Sequence, residues 1–144
     1  MLLRLCTPAL MLLLAVPASA DLRTMGQDYR QMKTNYHILH GVSKECPDLA
    51  LPELVSGGMV DKTLQEKLGP QQFVQVQVAI QRSDLQKNAQ TVTQQLLESV
   101  EGCDDPRLST SMQRLKQVHQ QAFARLEAEI PLVKPRDVPV PLRR

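Results

Sequence analysis

From Leu22 onward, apolar residues recur at Leu22, Met25, Tyr29, Met32, Tyr36 and Leu39, in steps of 3, 4, 3, 4 and 3. This strict heptad over nearly three repeats predicts a helix from Leu22 to about Glu45 with one buried seam. Asp21 is placed to cap its start, and Pro47 follows Cys46 as a stop. Gly26 and Gly41 work against it, each costing about 1 kcal/mol relative to alanine inside a helix. A second strict heptad runs through Leu108, Met112, Leu115, His119, Ala122 and Leu126. Asp105 is its expected cap and Pro106 its first helical residue.

The chain between the heptads is less regular. Cys46 to Gly58 reads as a connector, because Pro47, Pro52 and Gly57-Gly58 deny it a long helix, although Pro52 to Val55 has room for one turn. A short amphipathic helix from Met59 to Leu68 follows, ended by Gly69 and Pro70. Next, Val74, Val76, Val78 and Ile80 alternate with polar or small residues, which is strand period, while Phe73, Val76 and Ile80 fit a helix face equally well. Whether Phe73–Ile80 is helix or strand stays open on the pattern alone. A lone strand would have no partner elsewhere in the sequence, so one long helix from Gln71 to Cys103, bent near Ser83, is the preferred reading. Its second half carries the stripe Leu85, Ala89, Val92, Leu96 and Val100, and Ser83 with Gln86 has capping-box spacing.

Three long helices and a short one, joined by short loops, bury these stripes as an all-α antiparallel bundle. The first and third helices then finish at the same end, which brings Cys46 and Cys103 together as a disulfide closing a 58-residue loop. In the chain-entropy description that bond contributes roughly 4 kcal/mol.

Residues 1–20 read as a signal peptide: Arg4 gives a positive start, Pro8 to Val16 an apolar run, and Ala18-Ser19-Ala20 a cleavage site. Cys6 would leave with it, so two cysteines remain, an even pair suited to an oxidising compartment. No later window is long and apolar enough to span a membrane. The expected organisation is a signal at 1–20, a bundle at 21–130 and a basic, proline-rich tail at 131–144, with a periplasmic or secreted location. Without Arg4 the charges stand at 16 basic and 15 acidic, a poor footprint for nucleic acid. The tail is locally cationic, with Lys134, Arg136, Arg143 and Arg144 against Asp137. Four prolines in its 14 residues make it an extended arm for a partner or an anionic envelope surface, or simply a disordered terminus.

Chemistry has few footholds. His119 sits inside a core heptad beside small Ala122, either as an axial haem ligand opposite Met25 or Met32, or as a histidine hydrogen-bonded at the edge of the core. His37 and His40, three apart, would share a helix face as a two-point metal chelate or as a solvated pair. Met25, Met32, Met59 and Met112 suit soft ligation or, more simply, core packing. A glutamine-rich exterior, including Gln75, Gln94 and Gln117, is a neutral solvated face or one that engages another helix. Asp104 and Asp105 fit capping better than acid–base work. No nucleophile, zincin or phosphate-loop motif occurs, so the chain reads as no enzyme.

The expected function is therefore non-catalytic binding of another envelope or secreted protein, in the manner of an inhibitor, immunity protein, chaperone or secretion accessory, with no cofactor. The alternative is a periplasmic haem- or metal-binding four-helix protein using His119 or the His37/His40 pair. The heptad faces also allow a homodimer, since such seams close within one chain or between two.

Overall fold

The computed structural model describes residues 20–133, in which five helices account for the regular structure: α1 (Ala20–Glu45), α2 (Gly57–Leu68), α3 (Pro70–Gln81), α4 (Leu85–Glu98) and α5 (Pro106–Ala128). The signal reading for residues before Ala20 and the tail from Lys134 fall outside the described residues. No strand occurs among those described, which settles Phe73–Ile80 as helix. Phe73 is buried, Val76 and Ile80 pack beside it, and Val74 is exposed, so the period-three-and-four face wins over the alternation.

Pairwise contacts fix the topology. Gly41 faces Thr93 and Cys46 is bonded to Cys103, so α1 and α4 rise in parallel. Asp28 pairs with Arg125 and Tyr36 with His119, so α5 descends beside α1. Helix α2 descends as well, with Asp61 at the level of Tyr29 and Lys67 beside the end of α5. Where one bent helix from Gln71 to Cys103 was expected there are two, α3 and α4, separated by a turn at Arg82–Asp84, and the second ends at Glu98, so Cys103 lies in the loop beyond it. The result is the antiparallel bundle the stripes predict, with α1 packed against α2, α4 and α5. The Cys46–Cys103 bond closes its upper end, with Cα atoms 5.6 Å apart.

Local signals explain most boundaries, and some corrections arise. Asp105 caps α5, its carboxylate accepting from the Arg107 backbone N–H at 2.9 Å, with Pro106 in the first turn. Asp21 lies within the first turn of α1 rather than ahead of it. Helix α2 begins two residues earlier than expected, because the Ser56 hydroxyl accepts from Met59 N–H and carries Gly57-Gly58 into the helix. Pro52–Val55 forms no turn of helix; the connector stays irregular while Leu49 and Leu51 pack onto the upper core. Ser83 does not cap α4, since its hydroxyl donates back to the Ile80 carbonyl and closes α3 instead. Gly69, at φ +79°, ends α2 and starts α3 in one residue. That backbone conformation favours glycine, and a Cβ there would also sit 2.8 Å from Val133 Cγ1. Contact with the body therefore continues to Val133, three residues past the expected boundary at 130, and Leu132 N–H donates to the Lys67 carbonyl at 2.8 Å.

The core is two apolar clusters stacked along the axis. The lower joins Met25, Tyr29 and Met32 of α1 to α2, Phe73, Ala122 and Leu126. The upper joins Ile38, Val42 and Cys46 to Ala89, Leu108 and Met112. The seam of α1 does not keep its strict heptad: Leu22 is exposed, and the fully buried line passes from Met32 to Val42 and Cys46. A straight helix drifts about 20° per heptad against a 3.5 repeat, and here the drift turns the upper half toward α4. On α4, Thr93 is buried where Val92 was expected, and Val92 is exposed. The reason is Gly41, whose missing side chain lets α4 approach: a Cβ there would lie 2.9 Å from Thr93 Cγ2.

The two helical glycines therefore behave oppositely. Gly26 has nothing near its missing Cβ, so Gly26→Ala raises stability by up to about 1 kcal/mol, a few degrees in Tm. Gly41→Ala meets a β-branched side chain whose hydroxyl is tied to the Ala89 carbonyl, and overpacking of about 1–3 kcal/mol outweighs the propensity gain. Thermal melts show Tm rising for the first and falling for the second, with Thr93→Ala restoring the loss. Removing the bridge by Cys46→Ala with Cys103→Ser lowers unfolding free energy by roughly 4 kcal/mol in a urea titration.

Candidate functional site

Three features stand out from the packing: a polar layer at the waist, a groove between α1 and α4, and an acidic upper end.

At the waist, between the two apolar clusters, lie Asn35, Tyr36 and His119. His119 is fully buried, and its ring meets Tyr36 edge-on with centroids 5.1 Å apart. Neither imidazole nitrogen has a hydrogen-bond partner, nor has the Tyr36 hydroxyl or Asn35 Nδ2. Asn35 Oδ1 does accept from Gln31 Nε2 at 3.1 Å. Burial pushes the His119 pKa down, and the Val55 backbone, too loosely placed for a hydrogen bond, pulls weakly the other way. Burial, then the charge of Asp61, pushes the Tyr36 pKa up. The heptad correctly places His119 in the core. It gives no sign of the missing partners, since they depend on what α1 presents at the same level.

Met25 and Met32 are both fully buried in the lower cluster. In the register set by Asp28–Arg125 and Tyr36–His119, Met32 lies about one turn and Met25 about three turns from the His119 level. Met112 is likewise core, whereas Met59 is exposed.

The groove, about 580 Å³, runs between α1 and α4. His37, His40 and Lys44 line one wall and Gln86, Gln90 and Gln94 the other, over a floor of Gly41, Thr93 and Leu97. His37 and His40 thus share a face as expected. Among the described residues no group of three or more His, Cys, Asp or Glu gathers to hold a metal, so the pair offers two ligands. The ladder Gln86, Gln90, Gln94 escaped the sequence reading, although its four-residue spacing is the signal for it; only packing decides that it edges a groove.

At the upper end, Glu45, Glu98, Glu101 and Asp104 are exposed. They make no ion pair among the described residues. Asp105 differs: hydrogen bonding from the Arg107 guanidinium, then from the Glu101 and Arg107 backbone N–H groups, holds its carboxyl well below the usual range. Helices α1 and α4 both end here, adding the partial negative charge of two C-termini.

Other polar contacts, not signalled by periodicity, brace the lower half. Asp28 is buried and takes Arg125 Nη2 at 2.7 Å and Nε at 3.2 Å. The Tyr29 hydroxyl donates to Asp61 at 2.8 Å, and Lys33 pairs with the same carboxylate while lying over the Tyr29 ring. Burial and then Asp61 push the Tyr29 pKa up. The tail residues Lys134, Arg136, Arg143 and Arg144 lie outside the described residues. No described helix is long and apolar enough to cross a membrane, which with the disulfide is compatible with export.

No family model, curated protein or solved structure matches the chain.

The waist makes stability acid-sensitive. His119 has a folded pKa below its unfolded value of about 6.5, so the unfolded chain binds the extra proton. Its contribution is fully present above about pH 6.5 and is lost as pH falls through that value toward the folded pKa, at no more than about 1.4 kcal/mol per pH unit. Urea midpoints should decline in the wild type as pH falls from about 6.5 to about 5, and the decline should flatten in His119→Leu.

Proposed function

We propose that this protein is a non-catalytic binding module of the cell envelope, exported by its N-terminal segment, that engages another envelope or secreted protein through the α1–α4 groove. The observation that carries this reading is the groove itself: a concavity of about 580 Å³ floored by Gly41, Thr93 and Leu97 and walled by glutamine amides and imidazoles, with Lys44, Glu45 and Glu98 also lining it. Its walls are two parallel helices bonded at their ends, so little ordering entropy is lost when a partner docks. Glutamine amides offer both donors and acceptors, and the floor supplies the apolar contact that pins a partner segment. The heptad faces are spent on the internal core. That leaves the groove, rather than a second copy on those seams, as the recognition surface.

Haem or metal carriage is the second reading, and the buried imidazole of His119 without a hydrogen-bond partner is what favours it. A porphyrin at His119 would have to part the ring from Tyr36 and separate the two apolar clusters. The His37/His40 pair would serve a metal only with ligands from elsewhere.

Affinity capture from an envelope extract tests the first reading. The wild type retains a defined partner and Gln86→Lys with Gln90→Lys loses it at least tenfold, while circular dichroism stays unchanged. Equal retention by both proteins would remove the groove from the case. A Soret band in protein purified from its native compartment, abolished by His119→Ala, would replace binding with haem carriage.

A further inference from the structure

Gln86, Gln90 and Gln94 edge the groove a turn apart, above a floor of Gly41, Thr93 and Leu97. Side-chain amides recognise free N–H and C=O groups, which an extended backbone offers and a helix has already paired within itself. The floor holds one large apolar side chain, Leu97, too few for the row of anchors by which an amphipathic helix docks. From Gln86 to Glu98 the wall rises about 18 Å, the length of about six extended residues. Successive glutamines stand about 6 Å apart, near the two-residue repeat of about 6.2 Å in a polyproline strand, so each amide meets every second residue.

The two mouths of the groove differ in charge. Helices α1 and α4 are parallel and end together, so the partial negative charges of their C-termini add at the upper mouth, whereas α1 opposes α2 and α5. The last residue of each is itself an acid: Glu45 closes α1 and Glu98 closes α4, both exposed and both lining the groove. Each carboxylate stands where a helix dipole favours a cation. Lys44 answers part of that charge on α1, but α4 has no basic residue in its last turn. Among the described residues neither acid forms an ion pair. The Gln94 amide donates to Glu98 at 2.9 Å and steadies that carboxylate at the mouth. The lower mouth, at His37 and Gln86, is lined by no carboxylate.

We propose that the groove takes an extended segment of the partner chain that carries a lysine or arginine at the end nearest the Cys46–Cys103 bond. This rests on the groove being the partner's site, and adds the conformation, charge and direction of what lies in it. The cation sits with Glu45 and Glu98, the amides of Gln86 and Gln90 exchange hydrogen bonds with the segment's backbone, and small side chains settle on Gly41 and Thr93.

Three synthetic peptides titrated into the full chain and followed by NMR test this: three Ala-Pro repeats ending in arginine, the same repeats ending in glutamate, and an alanine-based helix ending in one arginine. The extended arginine peptide should shift the side-chain amides of Gln86 and Gln90. It should also bind at least tenfold more tightly than the other two at about 0.01 M salt, where charges are little screened. Glu45→Gln with Glu98→Gln should abolish the preference for arginine over glutamate, with circular dichroism unchanged. A nitroxide on the peptide's end remote from arginine should broaden Gln86 and His37 more than the Leu97 methyls. Equal binding of the three, preference for the glutamate or helical peptide, no binding by any, or the reverse order of broadening overturns the proposal. In the capture assay Glu45→Gln with Glu98→Gln should lose the partner severalfold, as Gln86→Lys with Gln90→Lys does. Loss in the glutamine variant alone removes the cationic segment and keeps the groove; full retention by both removes the groove itself.

Discussion

Helix α1 can bury its seam only if α4 and α5 both lie against it, and the Cys46–Cys103 bond fixes the end at which they meet. Parallel packing of α1 on α4 needs close approach, which Gly41 permits at Thr93, one turn below the bridge. The closeness puts α4 where its glutamines stand opposite His37, His40 and Lys44. The groove is therefore a by-product of how the spine is packed: two ridges held near each other at the floor and splayed at the rim. A domain of this size has a modest core, and a cross-link of roughly 4 kcal/mol is comparable with much of the net stability of such folds.

That margin bears on the waist. Asn35, Tyr36 and His119 place four buried polar atoms without a protein hydrogen-bond partner in this region. Apolar residues there would join the two clusters into one continuous core. Instead the layer divides the bundle into a lower half, braced by Asp28–Arg125 and Tyr29–Asp61–Lys33, and an upper half closed by the disulfide. The two halves are anchored by different chemistry, so conditions that weaken one, such as reductant or acid, need not weaken the other equally.

Electrostatic polarity follows the same axis. In the lower half the carboxylates Asp28 and Asp61 are matched by Arg125 and Lys33 across helix boundaries. In the upper half the exposed carboxylates cluster beside two helix C-termini, and among the described residues Asp105 alone is held by a cation, Arg107.

The helices of this chain, the core positions of α5 and the pairing of Cys46 with Cys103 were legible in the sequence, because heptads, caps and prolines act through neighbours three or four residues away. Phe73–Ile80 was ambiguous on the same grounds: its pattern satisfies two periods, and only the presence of Tyr29 and α2 to pack against chose the helix. Thr93 replaced Val92, and the α1 seam left its heptad, because Gly41 and helical drift are resolved by the neighbouring helix rather than by spacing. The groove, the Asp28–Arg125 pair and the partnerless atoms of the waist all depend on residues tens of positions apart arriving at one level. Local periodicity determines which face of a helix turns inward; what that face finds there is decided by tertiary packing.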